Sequence, residues 1–173
     1  RLAFNTVTSY SRTQDRQMLD ADFTYLDVFD NGKKSRQNLL TQEFNIQSNE
    51  NRHVDWTAGA FGFYKDLTNR YLATFGEDKA YLLPMALDNA KYHNNTVTWG
   101  IAGYGQVTLK EIWPGMSLTA GLRYDYEKSE LNYRDSLVFS GQQQYTSYHD
   151  SKEAKGFKTW LPKFSLLQRW NDN

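Results

Sequence analysis

The sequence predicts an all-β chain, an antiparallel segment of a transmembrane β-barrel with about six strands. Three observations carry that prediction. Apolar and aromatic residues recur at every second position in several stretches, the connections between the stretches alternate long and short, and the tryptophans gather at the stretch ends. Residues 116–128, MSLTAGLRYDYEK, show the first most clearly. Met116, Leu118, Ala120, Leu122, Tyr124 and Tyr126 make one face; Ser117, Thr119, Gly121, Arg123, Asp125 and Glu127 make the other. A period of two is that of a strand, whereas a helix would scatter these residues around its circumference.

A chain of 173 residues is about one domain in length, yet only 39% is hydrophobic and 16% is aromatic. The mean hydropathy is −0.76. Twelve Tyr and five Trp suit surfaces that are half apolar and half wet, because their rings carry a polar tip on an apolar body. Twenty basic and twenty acidic side chains cancel, which gives no electrostatic reason to expect nucleic acid as a partner. No stretch approaches the roughly eighteen consecutive apolar residues of a membrane-spanning helix. That limit does not touch a barrel, whose alternation hides its lipid face from averaged hydropathy. The absence of Cys removes disulfides and thiolate zinc sites.

Taken in order, residues 2–10 alternate weakly and read as a strand. Residues 11–36 read as a long polar connection, with an extended piece at 23–29 and a turn at Asp30, Asn31 and Gly32. A strand follows at 40–48, with Gln42 the exception on its apolar side, and residues 49–52 are a turn by composition. Residues 54–65 form a strand of ambiguous phase. Trp56, Ala58, Ala60 and Tyr64 make one face and Phe61 and Phe63 the other, and Gly59 and Gly62 invite a bulge that shifts the register midway. Residues 66–96 read as a second long connection. Residues 97–109 alternate again, with Gly103 and Gly105 placed on the apolar face for close approach by a neighbouring strand. Pro114 and Gly115 centre a short turn into the 116–128 strand. Residues 129–158 are the third long connection, 160–170 the last strand, and 171–173 the beginning of another turn.

Strict alternation of connection lengths is a barrel signature, with short turns on the periplasmic side and long extracellular loops on the other. It places Trp56, Trp113 and Trp170 at short-turn ends and Trp99 and Trp160 at long-loop ends. These five are the expected interface aromatics, since an indole is most stable where lipid meets water.

The hairpin of GYGQVTLK from Gly103 and SLTAGLRYDYEK from Ser117 resembles the central barrel hairpins of TonB-dependent outer-membrane receptors. So do TQEFNIQS from Thr41, WTAGAFGFY from Trp56, and WLPKFSL from Trp160 followed by RWNDN from Arg169. The similarity runs over residues 40–173, departing at Asn45, where arginine is common, and at Gln168, where an aromatic is usual. It implies a large barrel in the bacterial outer membrane of a Gram-negative cell, plugged by an N-terminal globular domain. It also implies uptake of a scarce nutrient with energy supplied through TonB, a ferric siderophore or other iron chelate being the leading expectation. Residues 1–173 would then be part of one barrel domain, without the plug, the TonB-contacting segment or the final strands. TonB would act through that missing N-terminal part. Six strands fall short of the roughly eight of the smallest closed barrel. A passive porin-like channel and a soluble carbohydrate-binding β-sandwich are the alternatives.

No nucleophile–base pair, metal-ligand spacing or phosphate-binding loop is present in the sequence, so neither an enzyme nor a cofactor or metal site is expected. Arg123, Asp125, Glu127 and Lys163 are expected to face a wet lumen, with Glu43, Asp125 and Glu127 paired across strands to Arg123 and Lys163. Ligand contacts are expected from the long connections: Tyr92 and His93 in the second, and Tyr145, Tyr148 and His149 in the third.

Overall fold

A computed structural model describes residues 2–48, 53–81, 87–139 and 146–170. They form one antiparallel sheet of six strands in sequence order, each paired with the next. The strands are β1 (Leu2–Asp20), β2 (Phe29–Ser48), β3 (Val54–Phe75), β4 (Leu87–Trp113), β5 (Met116–Phe139) and β6 (Thr146–Gln168), with a 3₁₀ turn at Glu77–Tyr81 before β4. β1 and β6 are its edge strands.

The all-β, antiparallel prediction holds, but the strands are far longer than expected, reaching 27 residues in β4. About 9–11 residues cross a bilayer at a barrel's tilt. Most of the residues read as long connections are therefore strand: 11–20 continue β1, 66–75 continue β3, 87–96 open β4, and 129–139 pair with β6. The backbone ladder continues past the point where alternation stops, because hydrogen bonds between strands need no particular side chain. Among the described residues the connections that remain are 21–28, 76–81 with its 3₁₀ turn, and the two-residue turn Pro114–Gly115.

The turn expected at Asp30, Asn31 and Gly32 is instead paired strand, opposite Asp20, Leu19 and Met18. The chain reverses earlier, around Asp22. Its Oδ1 accepts hydrogen bonds from the Thr24 N–H (2.9 Å) and Thr24 Oγ1 (2.6 Å), and its Oδ2 accepts from the N–H groups of Val28 (3.2 Å) and Phe29 (3.1 Å). The Thr24 hydroxyl and the Phe29 amide hold the Asp22 carboxyl below the usual carboxylate value. These bonds also hold Phe23 at a φ of 55°, a left-handed conformation that ordinarily costs a side chain about 1–2 kcal/mol. The same connection is tied to the next: Gly76 N–H donates to Val28 O (3.0 Å) and Asp78 N–H to Asp27 O (2.9 Å). Asp27 N–H donates back to Asp78 Oδ2 (3.0 Å).

No bulge interrupts β3. Its pairings with β2 and β4 run in continuous register, so Phe61 and Phe63 lie on the face opposite Trp56, Ala58, Ala60 and Tyr64. Register shifts fall instead in β4, between Leu87 and Asn89 and between Leu109 and Trp113, where Glu111 takes a φ of 53° before the Pro114–Gly115 turn.

Candidate functional site

Register carries the alternation of each strand onto common faces. On one face stand Phe4 and Tyr10 of β1, Phe44 and Leu40 of β2, Tyr64 of β3, Ile101 and Trp99 of β4, Leu122 and Tyr124 of β5, and Phe164 and Trp160 of β6. The band is open to its surroundings: Ile101 is 58% exposed and Phe164 75%. Its polar exception is satisfied within the sheet, because Gln42 Nε2 donates to Thr6 Oγ1 (2.8 Å) and Thr8 Oγ1 donates to Gln42 Oε1 (2.6 Å). A polar group inside an apolar layer is tolerated on that condition. Aromatic pairs close the band, Trp99 with Tyr126 (centroids 5.5 Å apart) and Tyr124 with Trp160 (4.5 Å). Tyr10 Oη donates to Asn38 Oδ1 (3.3 Å), so that ring reaches out of the band toward polar residues.

The tryptophans need one correction. Trp56 and Trp113 lie near strand ends and Trp170 just past β6, but Trp99 and Trp160 lie well inside β4 and β6. They end the apolar band and not the strand.

The opposite face is polar and more crowded, with Thr98 and Ala102 buried. Cross-strand pairing sets Asn45 beside Gly59, Gly59 beside Tyr104, and Tyr104 beside Arg123. A side chain at Gly59 would place its Cβ 2.4 Å from the Tyr104 ring, so the missing Cβ makes the berth for that tyrosine. Tyr104 Oη donates to Glu43 Oε1 (2.9 Å) and accepts from Asn45 Nδ2 (3.1 Å). Asn45 Oδ1 is buried without a partner. The Arg123 guanidinium lies 5.9 Å from the Tyr104 ring centroid and grips Asp125 through Nε (3.0 Å) and Nη2 (2.8 Å). Alongside, Phe63 packs over Gly100, where a Cβ would come within 2.6 Å of the ring. The close approach expected at Gly103 is absent, since nothing lies within 4 Å of its Cβ position.

Arg123, Asp125, Glu127 and Lys163 therefore share one polar face, but their pairing differs from expectation. Arg123 binds its own strand neighbour Asp125, and Glu43 is taken by Tyr104. Lys163 Nζ donates to Gln106 Oε1 (3.1 Å), away from the acids. Glu127 makes no ion pair among the described residues. Residues two apart on a strand point the same way, and here that shorter reach prevails over the cross-strand one. Tyr104 and Asn45 completed the cluster unforeseen, because their neighbours follow from strand register alone.

The expected ligand residues do not form one group. Tyr92 and His93 are in β4, not in a connection, and as successive strand residues they take opposite faces. Tyr92 pairs with Tyr71 on the polar side, while His93 pairs with Arg70 and Arg134 on the side of the apolar band, beyond its aromatic edge. Burial, then those two arginines, hold His93 below the usual imidazole value. Tyr148 and His149 are likewise strand residues, paired with Ser136 and Asp135, and Tyr145 lies outside the described residues. Among the described residues no group of three or more His, Asp or Glu stands close enough to hold a metal ion.

No family model matches the chain, and no curated protein matches it. Among solved structures it is similar to the ferric yersiniabactin uptake receptor FyuA from Yersinia pestis, with a TM-score of 0.69 at 14% identity. The match covers 95% of this chain and 23% of the receptor, so the chain spans under a quarter of its length. At that identity the similarity speaks for the fold: a contiguous antiparallel sheet of the kind found in a barrel-forming receptor.

Proposed function

We propose that the chain is a wall segment of an outer-membrane receptor that takes up a scarce nutrient, a ferric siderophore or another iron chelate, with energy supplied through TonB. The observation that carries this reading is the apolar band, which runs across all six strands on one face only. A soluble sheet would cover such a face with a second layer; a barrel leaves it to lipid. Two long free edges, 19 residues in β1 and 23 in β6, require further strands, since unpaired backbone is not tolerated in a bilayer. The polar face then lines the lumen. Glu43, Asn45, Tyr104, Arg123 and Asp125 form a fixed set of donors and acceptors there, and the unpartnered Asn45 Oδ1 calls for a donor from whatever fills the lumen. The role is transport and not catalysis. Outer-membrane lipid, the small-molecule cargo and TonB, contacted through the parent protein's N-terminal part, are the partners.

The test is uptake by cells carrying the parent protein with residues 136–151 deleted at the tip of the β5–β6 hairpin. Uptake of ferric chelates should fall while the barrel still assembles. Unchanged uptake would remove this tip from ligand capture, and a parent protein that stays monodisperse in plain buffer without detergent would overturn the membrane reading.

A further inference from the structure

Above the aromatic edge the two faces of the sheet divide the chemistry of the strand extensions between them. The arginines there, Arg12, Arg16, Arg36, Arg70 and Arg134, all fall by register on the side of the apolar band. On the polar face Lys33, Lys65 and Lys155 stand against Asp15, Glu127, Asp135 and Glu153. Two of those lysines are engaged by rings: Lys33 lies 5.7 Å from the Tyr71 ring centroid and Lys155 lies 5.3 Å from that of Phe157. That leaves Lys65, well down β3 from Tyr71. Guanidinium forks are the groups best suited to carboxylate-rich and other anionic ligands. Among the described residues this part of the polar face has none.

It carries phenols instead. Tyr71 and Tyr92 are direct cross-strand partners, and Tyr133 is paired with Asn94, two residues after Tyr92 and on the same face. Tyr133 Oη donates to Asp135 Oδ2 (3.4 Å). Burial, then Asp135 and Tyr92, raise the Tyr133 phenol above its usual value, so it stays protonated. The hydroxyls of Tyr71 and Tyr92 make no hydrogen bond to another described residue. Asn94 Oδ1 is buried without a partner, and a buried acceptor left open calls for a donor. Below Tyr133 an open groove of about 600 Å³ runs between β5 and β6, its lining including Ser129, Leu131, Glu153 and Phe157. Leu131 and Phe157 are exposed there. From Tyr92 to Leu131 is one strand across and four residues along, about 14 Å at ordinary strand spacings, close enough for one chelate to touch both. Apolar side chains with a few convergent polar groups are the make-up of a small-molecule site.

We propose that the cargo held against this wall is an uncharged ferric chelate, whose organic shell presents apolar surface and amide N–H or hydroxyl donors, and not a carboxylate-rich or catecholate anion. The inference rests on the transport reading above, whose cargo it narrows. Oxygens of the chelate accept from the free tyrosine hydroxyls, a donor of the shell reaches Asn94 Oδ1, and apolar surface covers Leu131. An anion would instead meet Asp135 and Glu153 with no guanidinium to offset them.

The test titrates the whole parent protein, purified in detergent, with iron-loaded chelators that differ in charge: a neutral trihydroxamate built on a peptide ring, an anionic tricatecholate, and citrate. Wild type should bind the neutral chelate at least about tenfold more tightly than either anion, and that binding should change little between low and physiological salt, because no charge is matched. The double variant Tyr92→Leu, Tyr133→Leu should weaken it at least about tenfold. Tyr92→Phe, which keeps the ring and loses one hydroxyl, should cost about threefold. Arg36→Gln, on the opposite face, should leave it unchanged. If the double variant does not assemble, the ranking of the three chelates by wild type carries the test by itself. Equal or tighter binding of the tricatecholate or of ferric citrate would overturn the proposal, and so would equal binding of the neutral chelate by wild type and an assembled double variant. A wild-type protein that binds no ferric chelate at all would instead overturn the transport reading.

Discussion

The part of the sheet between the short turns and Trp99 and the part beyond it share one backbone ladder but follow different side-chain rules. Below Trp99 the two faces differ: Leu118, Ala120 and Leu122 look one way, Thr119, Gly121 and Arg123 the other. Above it both faces are mixed, with exposed Met18 and Leu72 on one and Leu131 on the other set among polar and charged residues. Lys128 and Glu130 pair on one face (2.6 Å), while Tyr133 reaches Asp135 (3.4 Å) on the other. The difference teaches that alternation records the solvent on each side of a strand and not the strand itself. Where lipid lies on one side and water on the other, the sequence must alternate. Where water lies on both, nothing in the hydrogen-bonded ladder demands it.

The largest expected effect breaks the comparison in the lower region. Leu122→Arg should destabilise folding into lipid vesicles by about 2–4 kcal/mol, the cost of a cation near the bilayer midplane, whereas Thr119→Arg on the polar face should cost much less. Denaturant titration of the refolded parent protein reads both, and equal costs would refute the facing. A smaller effect, about 1–3 kcal/mol, is expected for Gly59→Ala, because its Cβ would drive Tyr104 out of its berth and overpack the face. Smaller again is Tyr104→Phe, which keeps the ring but strands Glu43 Oε1 and Asn45 Nδ2. It should cost about 1 kcal/mol in the same titration. The smallest is local and lies at the outer rim. The Asp22 carboxyl titrates below its usual value near 3.8, so the order it imposes is complete above that value and is lost as pH falls through the lowered one. Amide exchange at Val28 and Phe29 should accelerate only under those acidic conditions, while Asp22→Asn should abolish the pH dependence.

This contrast also explains what could be read from the sequence. Residues 116–128 disclosed a strand and both of its faces because its apolar and polar residues separate cleanly onto alternate positions. Residues 129–139 continue the same strand, but in SELNYRDSLVF the apolar residues move to the odd positions, Leu131, Tyr133, Leu137 and Phe139, with Asp135 and Val138 out of step, and this broken, phase-shifted pattern read as a connection. Asn31 and Gly32 carried a turn signal that the structure overrides, since the carboxylate of Asp22 turns the chain first. The bulge expected in β3 came from reading Phe61 and Phe63 as misplaced apolar residues. They belong on the polar face, with Phe63 seated on Gly100 of the next strand. The polar cluster was legible in part: Arg123 and Asp125 were visible on their own strand, whereas Tyr104 and Asn45 join them through neighbours far away in sequence.

The most direct test of two regions under one ladder uses the absence of cysteine. Single cysteines introduced one at a time from Leu118→Cys to Val138→Cys in a parent protein otherwise freed of cysteine, each labelled with a fluorophore in vesicles, report lipid through a bilayer-bound quencher and water through a soluble one. Lipid quenching should appear at 118, 120, 122, 124 and 126, be absent at the odd positions between them, and vanish on both faces from 130 onward while aqueous quenching persists. Lipid quenching at odd positions, or continuing beyond 130, would contradict the assignment of a lipid face that ends at the aromatic edge.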